Sequence, residues 1–189
     1  ALGRISSFMT FEGRKKLFNP FIESKFNYCP LIWMQHSRML NNKINRIHER
    51  ALRLVYSNYE LSFKDLLKID NSFSIHHRNI QKLAIEVYKF VNGLSPKIMS
   101  NVFQIHDKNY ELRSNNILYS KNPKTIKYGT ESITYLAPKI WSVVPENIKS
   151  SHTLAIFTRK IFFFFKEFIT IILLLLFLNC YFIHEYYQT

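Results

Sequence analysis

The chain is short of the residues that most chemistry requires. It has four glycines in 189 residues, and none of them lies in a G-x-x-x-x-G-K-[ST] or G-x-G-x-x-G pattern. A backbone cradle for nucleotide phosphates is therefore excluded on the first pass. Two cysteines, Cys29 and Cys180, stand far apart in unlike contexts, with no C-x-x-C. That excludes a disulfide framework or a cysteine zinc site, and a reduced intracellular compartment is the simplest expectation. Aspartate is scarce too: Asp65, Asp70 and Asp107 are scattered, and no Asp-Asp pair exists. Asp65 and Asp70 are five positions apart on a helical pattern and do not share a face. They are expected to cap a helix and to lie in solvated surface. Seven histidines include the adjacent His76 and His77, whose side chains diverge by about 100° on a helix and do not chelate one ion well. No H-E-x-x-H, Cys/His cluster or Ser/His/Asp spacing can be read. The expectation is no catalytic residue, no metal, no cofactor and no small-molecule substrate.

Positive charge and apolar residues are abundant. Lys and Arg number 26 against 13 Asp and Glu, for a net charge of +13, and 47% of residues are hydrophobic. The charge is uneven. Only Lys166 among the basic residues, and Glu167 and Glu185 among the acidic ones, come after position 160. A positive body thus precedes a slightly negative tail. Such a body suits polyanions: RNA, DNA or an anionic membrane surface.

Apolar periodicity is mostly helical. Leu2, Ile5, Phe8 and Met9 have helical spacing. Thr10 can cap a helix with Glu12 in its first turn, and Leu17, Phe18, Phe21, Ile22 and Phe26 make its expected buried stripe. Pro20 falls inside that pattern and predicts a kink. Tyr28–Trp33 reads as a short core helix, with Tyr28, Trp33 and later Trp141 as core anchors. The clearest helix spans Asn41–Tyr56, with Leu40, Ile44, Ile47, Ala51, Leu54 and Val55 as its core stripe. Lys43, Arg46, Arg50 and Arg53 step by three, four and three and form a second stripe beside it. A cationic stripe on a core-anchored helix can lie along a phosphate backbone. Only Glu49 intervenes, and an ordinary solvated face is the alternative.

Ser62 with Asp65 makes a capping box before Leu66 and Leu67. Ser74 can cap the next helix, whose core stripe is Ile80, Leu83, Ala84, Val87, Tyr88 and Val91, closed by Gly93. Ser95-Pro96 starts another short helix. The chain then turns polar and Asn-rich from Gln104 to Lys127. Tyr110, Tyr119 and Tyr128, interleaved with Arg113, Lys121, Lys124 and Lys127, form a second candidate nucleic-acid surface by stacking and charge. Ile126–Tyr135 reads as a small hairpin. Helix returns over Leu136–Val144 behind Pro138, and Thr153 caps a last amphipathic stretch with Leu154, Phe157 and Ile161.

Three segments carry a family resemblance: FIESKFNYCPLIWMQHSRMLNNKINRIHERALRLVY (Phe21–Tyr56), FKDLLKIDNSFSIHHRNIQKLAIEVYKFVNGLSPKIM (Phe63–Met99) and YGTESITYLAPKIWSVVPENIKSSHTLAIFTRK (Tyr128–Lys160). In this order they resemble the thumb and post-polymerase region of non-LTR (LINE/jockey-like) retrotransposon reverse transcriptases, over roughly residues 1–160. In that family, paired carboxylates on palm strands hold two metal ions. Their absence implies the part of the enzyme after the palm, hence no polymerase activity. The family also carries a short Cys-containing tail like a metal knuckle, which this chain lacks. No secretory h-region opens the chain, and Ala1 is not an initiator methionine, which suggests a fragment or a partial gene model.

The tail is almost wholly apolar from Phe162 through Ile183, broken by Lys166-Glu167. Phe168–Ile183 is short of the roughly 20 residues that a span needs. A frameshifted end, a membrane anchor and a buried helix are the three readings.

The expected architecture is mainly α: a helical thumb-like bundle (1–103), a small α+β portion (104–160) and an apolar tail (161–189) whose helix covers 161–183. The expected function is sequence-tolerant RNA or DNA binding by a catalytically incomplete fragment of an RNA-directed DNA polymerase. Two alternatives stand: a small single-span membrane protein with a basic cytoplasmic body, or a non-functional transposon-derived reading frame.

Overall fold

The computed structural model describes residues 2–5, 8–34, 38–105, 118–119 and 132–177. It is mainly helical. The chain divides into two compact units, Ala1–Asn79 and Ile80–Thr189.

In the first unit, α1 (Leu2–Ile5) precedes α2 (Phe11–Phe18). Thr10 caps α2 as its sequence predicts, its hydroxyl accepting from the Gly13 amide at 3.3 Å. Pro20 does not simply kink the helix. The backbone widens into a π turn over Asn19–Glu23, where the Ser24 amide reaches back to the Asn19 carbonyl. A π turn absorbs the proline's missing donor and shifts the register of the downstream residues. Phe21, expected in the core, is consequently 64% exposed, while Ile22 packs against the core of this unit. Short α3 (Ser24–Asn27) and α4 (Pro30–Trp33) come next, hinged by Cys29 in the left-handed region at φ 42°. Tyr28 is not a core anchor. It is 75% exposed, and its carbonyl accepts from the Trp33 indole at 2.7 Å, leaving Trp33 half-buried.

Helix α5 (Arg38–Tyr56) is the longest of this unit and starts earlier than its periodicity suggests. Its buried face is His48, Ala51, Leu52 and Val55, packed with Phe18 of α2 and Leu66 of α6 (Phe63–Asp70). Leu40 and Ile47, expected in that stripe, are 47% and 53% exposed. The helix is rotated from the purely apolar reading because a histidine, not an isoleucine, occupies the buried position. Ser62 caps α6 with the predicted box: its hydroxyl accepts from the Asp65 amide at 3.3 Å and donates to the Asp65 carboxylate at 2.6 Å. Asn71, at φ 51°, closes the helix.

Helix α7 (Ile75–Val91) carries the boundary between the units. Ser74 caps it, its hydroxyl at 3.5 Å from the His77 amide. In the second unit Ile80, Leu83, Ala84, Val87 and Tyr88 are all buried, as their spacing predicts. Gly93, at φ 69°, occupies the left-handed position that ends the helix, with the Leu94 amide bonded to the Lys89 carbonyl at 2.8 Å. A 3₁₀ turn covers Lys97–Asn101 behind Pro96.

The expected hairpin over Ile126–Tyr135 lies partly outside the described residues. Its final part, Ile133–Tyr135, is helical: α8 runs Ile133–Val143, so Pro138 sits inside a helix rather than at its start. Among the described residues the only sheet-like pairing is one antiparallel bridge between Ile105 and Leu118. Short α9 (Glu146–Lys149) leads to α10 (Leu154–Phe177), with the Thr153 hydroxyl accepting from the Ile156 amide at 3.3 Å.

Phe157, Ile161 and Phe165 step by four along α10 and are buried. Phe157 stacks on Tyr88 at 4.1 Å between ring centroids and meets Trp141 at 6.2 Å. The Tyr88 hydroxyl donates to the Ser151 carbonyl, so this buried ring keeps its polar end satisfied. Helix α10 passes position 160 without a break. Among the described residues no helix is long and apolar enough to cross a membrane. Leu178–Ile183, with Cys180, lies outside them.

The rotation of α5 yields a paired prediction. Leu52→Ala, at a fully buried position, should cost about 2–5 kcal/mol, whereas Ile47→Ala should stay within about 0.5 kcal/mol. Urea denaturation of both variants decides it: equal losses would mean that the helix faces the other way.

Candidate nucleic-acid interface

The exposed face of α5 is set by the residues that its opposite face buries. His48 is fully buried and packed on three phenylalanines: Phe18 stacked at 6.3 Å, Phe26 edge-on at 5.9 Å and Phe63 edge-on at 5.6 Å. Neither ring nitrogen has a hydrogen-bond partner among the described residues; the nearest carboxylate oxygen, of Glu23, is 3.8 Å from Nε2. Glu23 is held instead by the Arg78 guanidinium. Burial, reinforced by the Arg78 charge, lowers the His48 pKa to about 4 against the opposing pull of Glu23 and Asp70. His48 is therefore a neutral, apolar-packed imidazole at neutral pH.

With His48, Leu52 and Val55 turned inward, Lys43, Arg46 and Arg50 turn outward. At about 100° per residue they fall within roughly 60° of arc, on the opposite side of the helix. All three are exposed. None makes an ion pair or hydrogen bond among the described residues. Met39, Leu40 and Ile47 are exposed beside them. Arg53, the fourth expected phosphate contact, is placed differently: its guanidinium donates to Glu49 at 2.7 Å and to the Leu61 carbonyl at 3.3 Å. The structure thus brings three cations together and ties the fourth into the fold. Arg113, Lys121, Lys124 and Lys127 lie outside the described residues, as do Tyr110 and Tyr128. Tyr119, 42% exposed, is described, and its amide donates to the Gln104 carbonyl at 2.7 Å.

A second polar group joins residues far apart in the sequence. Asp70, expected in solvated surface, is largely buried and accepts from both Lys15 Nζ and the Tyr56 hydroxyl, the latter at 2.7 Å. Burial alone would raise the Asp70 carboxyl, but the Lys15 and Tyr56 hydrogen bonds outweigh it and hold it below the usual carboxylate range. Burial likewise pulls Lys15 down, and Asp70 more than restores it, leaving its pKa raised. This triad ties α2, α5 and α6 together within the first unit. The sequence signal for it is weak, because Lys15 and Asp70 are separated by 55 positions.

His77 is lowered to about 3 by burial and by the neighbouring His76. Among the described residues no group of three or more His, Cys, Asp or Glu side chains is placed to hold a metal ion.

These shifts fix the sign of the pH effect on stability. Between pH 6.5 and about 4 the unfolded chain takes up a proton that folded His48 refuses, so stability falls as the pH drops through that window. His77 acts in the same sense from 6.5 towards 3, and the depressed Asp70 adds a further loss below its unfolded value of 3.8. His48→Leu should make the unfolding free energy less steep against pH between 6.5 and 4. Urea titrations at stepped pH test this, and an unchanged slope would refute the neutral buried imidazole.

In comparisons with known proteins, no family model matches the chain, and no curated protein or solved structure matches it.

Proposed function

We propose that the chain is a catalytically incomplete derivative of a retrotransposon RNA-directed DNA polymerase, retaining sequence-tolerant binding to RNA or DNA. The observation that carries the binding reading is the exposed face of α5, where Lys43, Arg46 and Arg50 stand side by side without an acidic partner among the described residues. The helix under them is anchored by a buried face, so the cations are presented at fixed spacing rather than on a loose segment. Successive steps of three and four residues separate them by about 4.5 and 6 Å along the axis. Each can meet a phosphate of one strand and release its condensed counterions, a contact that carries no base information.

The basic body, with all but one of the chain's 26 Lys and Arg residues before position 161, adds long-range attraction. Arg53 serves this face indirectly by holding Glu49, the one carboxylate of the helix, in an intrahelical pair. The segment with Arg113, Lys121, Lys124 and Lys127 is a second contact surface in this reading. Polymerase chemistry is not proposed, because the chain offers no Asp-Asp pair to hold metal ions at a strand end.

Fluorescence anisotropy of the whole chain with labelled RNA and DNA, titrated with salt, tests the reading. Each phosphate contact contributes about −0.7 to −0.9 to the log–log slope. The triple reversal K43E/R46E/R50E should weaken binding at least about tenfold at low salt and flatten the slope by roughly two to three units. Arg53→Gln should leave the slope unchanged. Binding unaffected by the triple reversal would remove this face from the proposal.

A further inference from the structure

The cations of α5 do not stand alone, and the two flanks beside them differ in character. Leu40 and Ile47 are seven residues apart, which places them on one line along the helix about 10.5 Å long. That line runs roughly 80° round from the middle of the cation line. Met39 caps the cation line at its N-terminal end. These three apolar side chains are 47%, 53% and 69% exposed, in the order Leu40, Ile47, Met39. On the opposite flank lie Asn42, which is exposed, and the Glu49–Arg53 pair. The face therefore consists of a cation ridge with an apolar ridge along one edge and a polar edge along the other.

This one-sided order matches one kind of polyanion. A single strand has the same asymmetry: phosphates along one edge and bases, with apolar faces to bury, along the other. A duplex turns its bases inward and offers a convex helix two phosphate rails with a groove between them. Against a duplex the cations would find partners, but the Leu40–Ile47 ridge would lie against sugar and phosphate and lose water without gaining apolar contact. Charge excludes a second copy of this chain as the occupant, since the same positive ridge would face itself on a protein of net charge +13.

We propose that the α5 face binds single-stranded nucleic acid in preference to duplex, with Lys43, Arg46 and Arg50 on the phosphates and Leu40 and Ile47 against the bases. This rests on the nucleic-acid reading above and narrows it to the strand form. Contact with aliphatic side chains makes no demand on base identity, so the preference is for single-strandedness rather than for sequence.

The test uses the whole chain and a labelled 12-nucleotide RNA and DNA, each as a single strand and annealed to its complement, at matched salt. The single strands should bind at least about tenfold more tightly than their duplexes. The double variant L40S/I47S should lose about fivefold or more of its single-strand affinity, keep its salt slope and leave duplex binding unchanged. Both positions are exposed, and unchanged circular dichroism and urea midpoint would show the fold intact. Duplex bound as tightly as single strand, or single-strand affinity untouched by L40S/I47S, overturns the inference. If K43E/R46E/R50E still weakens binding in that case, the broader nucleic-acid reading survives it. No binding of any strand at low salt overturns both. A parallel arm uses vesicles of phosphatidylcholine with phosphatidylserine. Co-sedimentation with them that is lost in L40S/I47S, without nucleic-acid binding, would overturn both and assign the face to an anionic lipid surface.

Discussion

The burial of one imidazole sets the geometry of the first unit. His48 sits among Phe18, Phe26 and Phe63 with no hydrogen bond to either nitrogen among the described residues, and so the site favours its neutral form. An unsatisfied buried polar group carries a cost on the order of 1–3 kcal/mol. It is tolerated here because the ring packs as a flat aromatic body. Once His48 points inward, Leu52 and Val55 must do the same at helical spacing, and Lys43, Arg46 and Arg50 must face away. The charged face is a consequence of the core, not an independent feature of the surface.

Two polar clamps hold that arrangement. Asp70 draws Lys15 and Tyr56 together, and Glu23 is gripped by Arg78. Each joins elements far apart in sequence, and each places a charge pair where removal of one member would strand the other. The π turn at Asn19–Glu23 belongs to the same logic. It lets Pro20 remain in a helical run and brings Glu23 into position beside Arg78. The second unit is organised differently, by apolar contact: Tyr88, Phe157 and Trp141 form its aromatic centre, and the Tyr88 hydroxyl is satisfied by a backbone carbonyl.

Local signals were legible where a single short-range interaction decides the outcome. Thr10, Ser62, Ser74 and Thr153 each cap the helix that their position predicts, because an N-cap hydroxyl needs only an amide two or three residues away. Gly93 closes α7 for an equally local reason. The stripe from Ile80 to Tyr88 was legible because it is apolar throughout. Sequence pattern and structure diverge where an apolar side chain competes with a polar one for the same buried place. Ile47 reads as core and is exposed, while His48 reads as polar and is buried. Phe21 and Tyr28 lie outside the core that their periodicity suggests because a π turn and a left-handed Cys29 reset the local register. At Ile133–Tyr135 the strand propensity of β-branched and aromatic residues yields to a helix that continues through Pro138. That is a case of tertiary packing overriding propensity.

For the candidate interface the division is sharp. Residue type and spacing alone determine that four cations share one side of α5 and that a carboxylate lies near them. They also determine that the helix is amphipathic, since periodicity arises from 3.6 residues per turn. Which cations are presented is decided only by tertiary structure. Arg53 is withdrawn because the Leu61 carbonyl, eight residues on, comes within its reach after the chain turns. Lys43, Arg46 and Arg50 remain because nothing described folds over them. The Leu40–Ile47 ridge is likewise a tertiary product: two side chains suited to a core are left outside it because His48 and Leu52 fill the space instead. A sequence states which side chains could share a face. The phenylalanines contributed by α2, α3 and α6 decide which face turns inward, because they select among faces of similar apolarity by the shape of the cavity they leave.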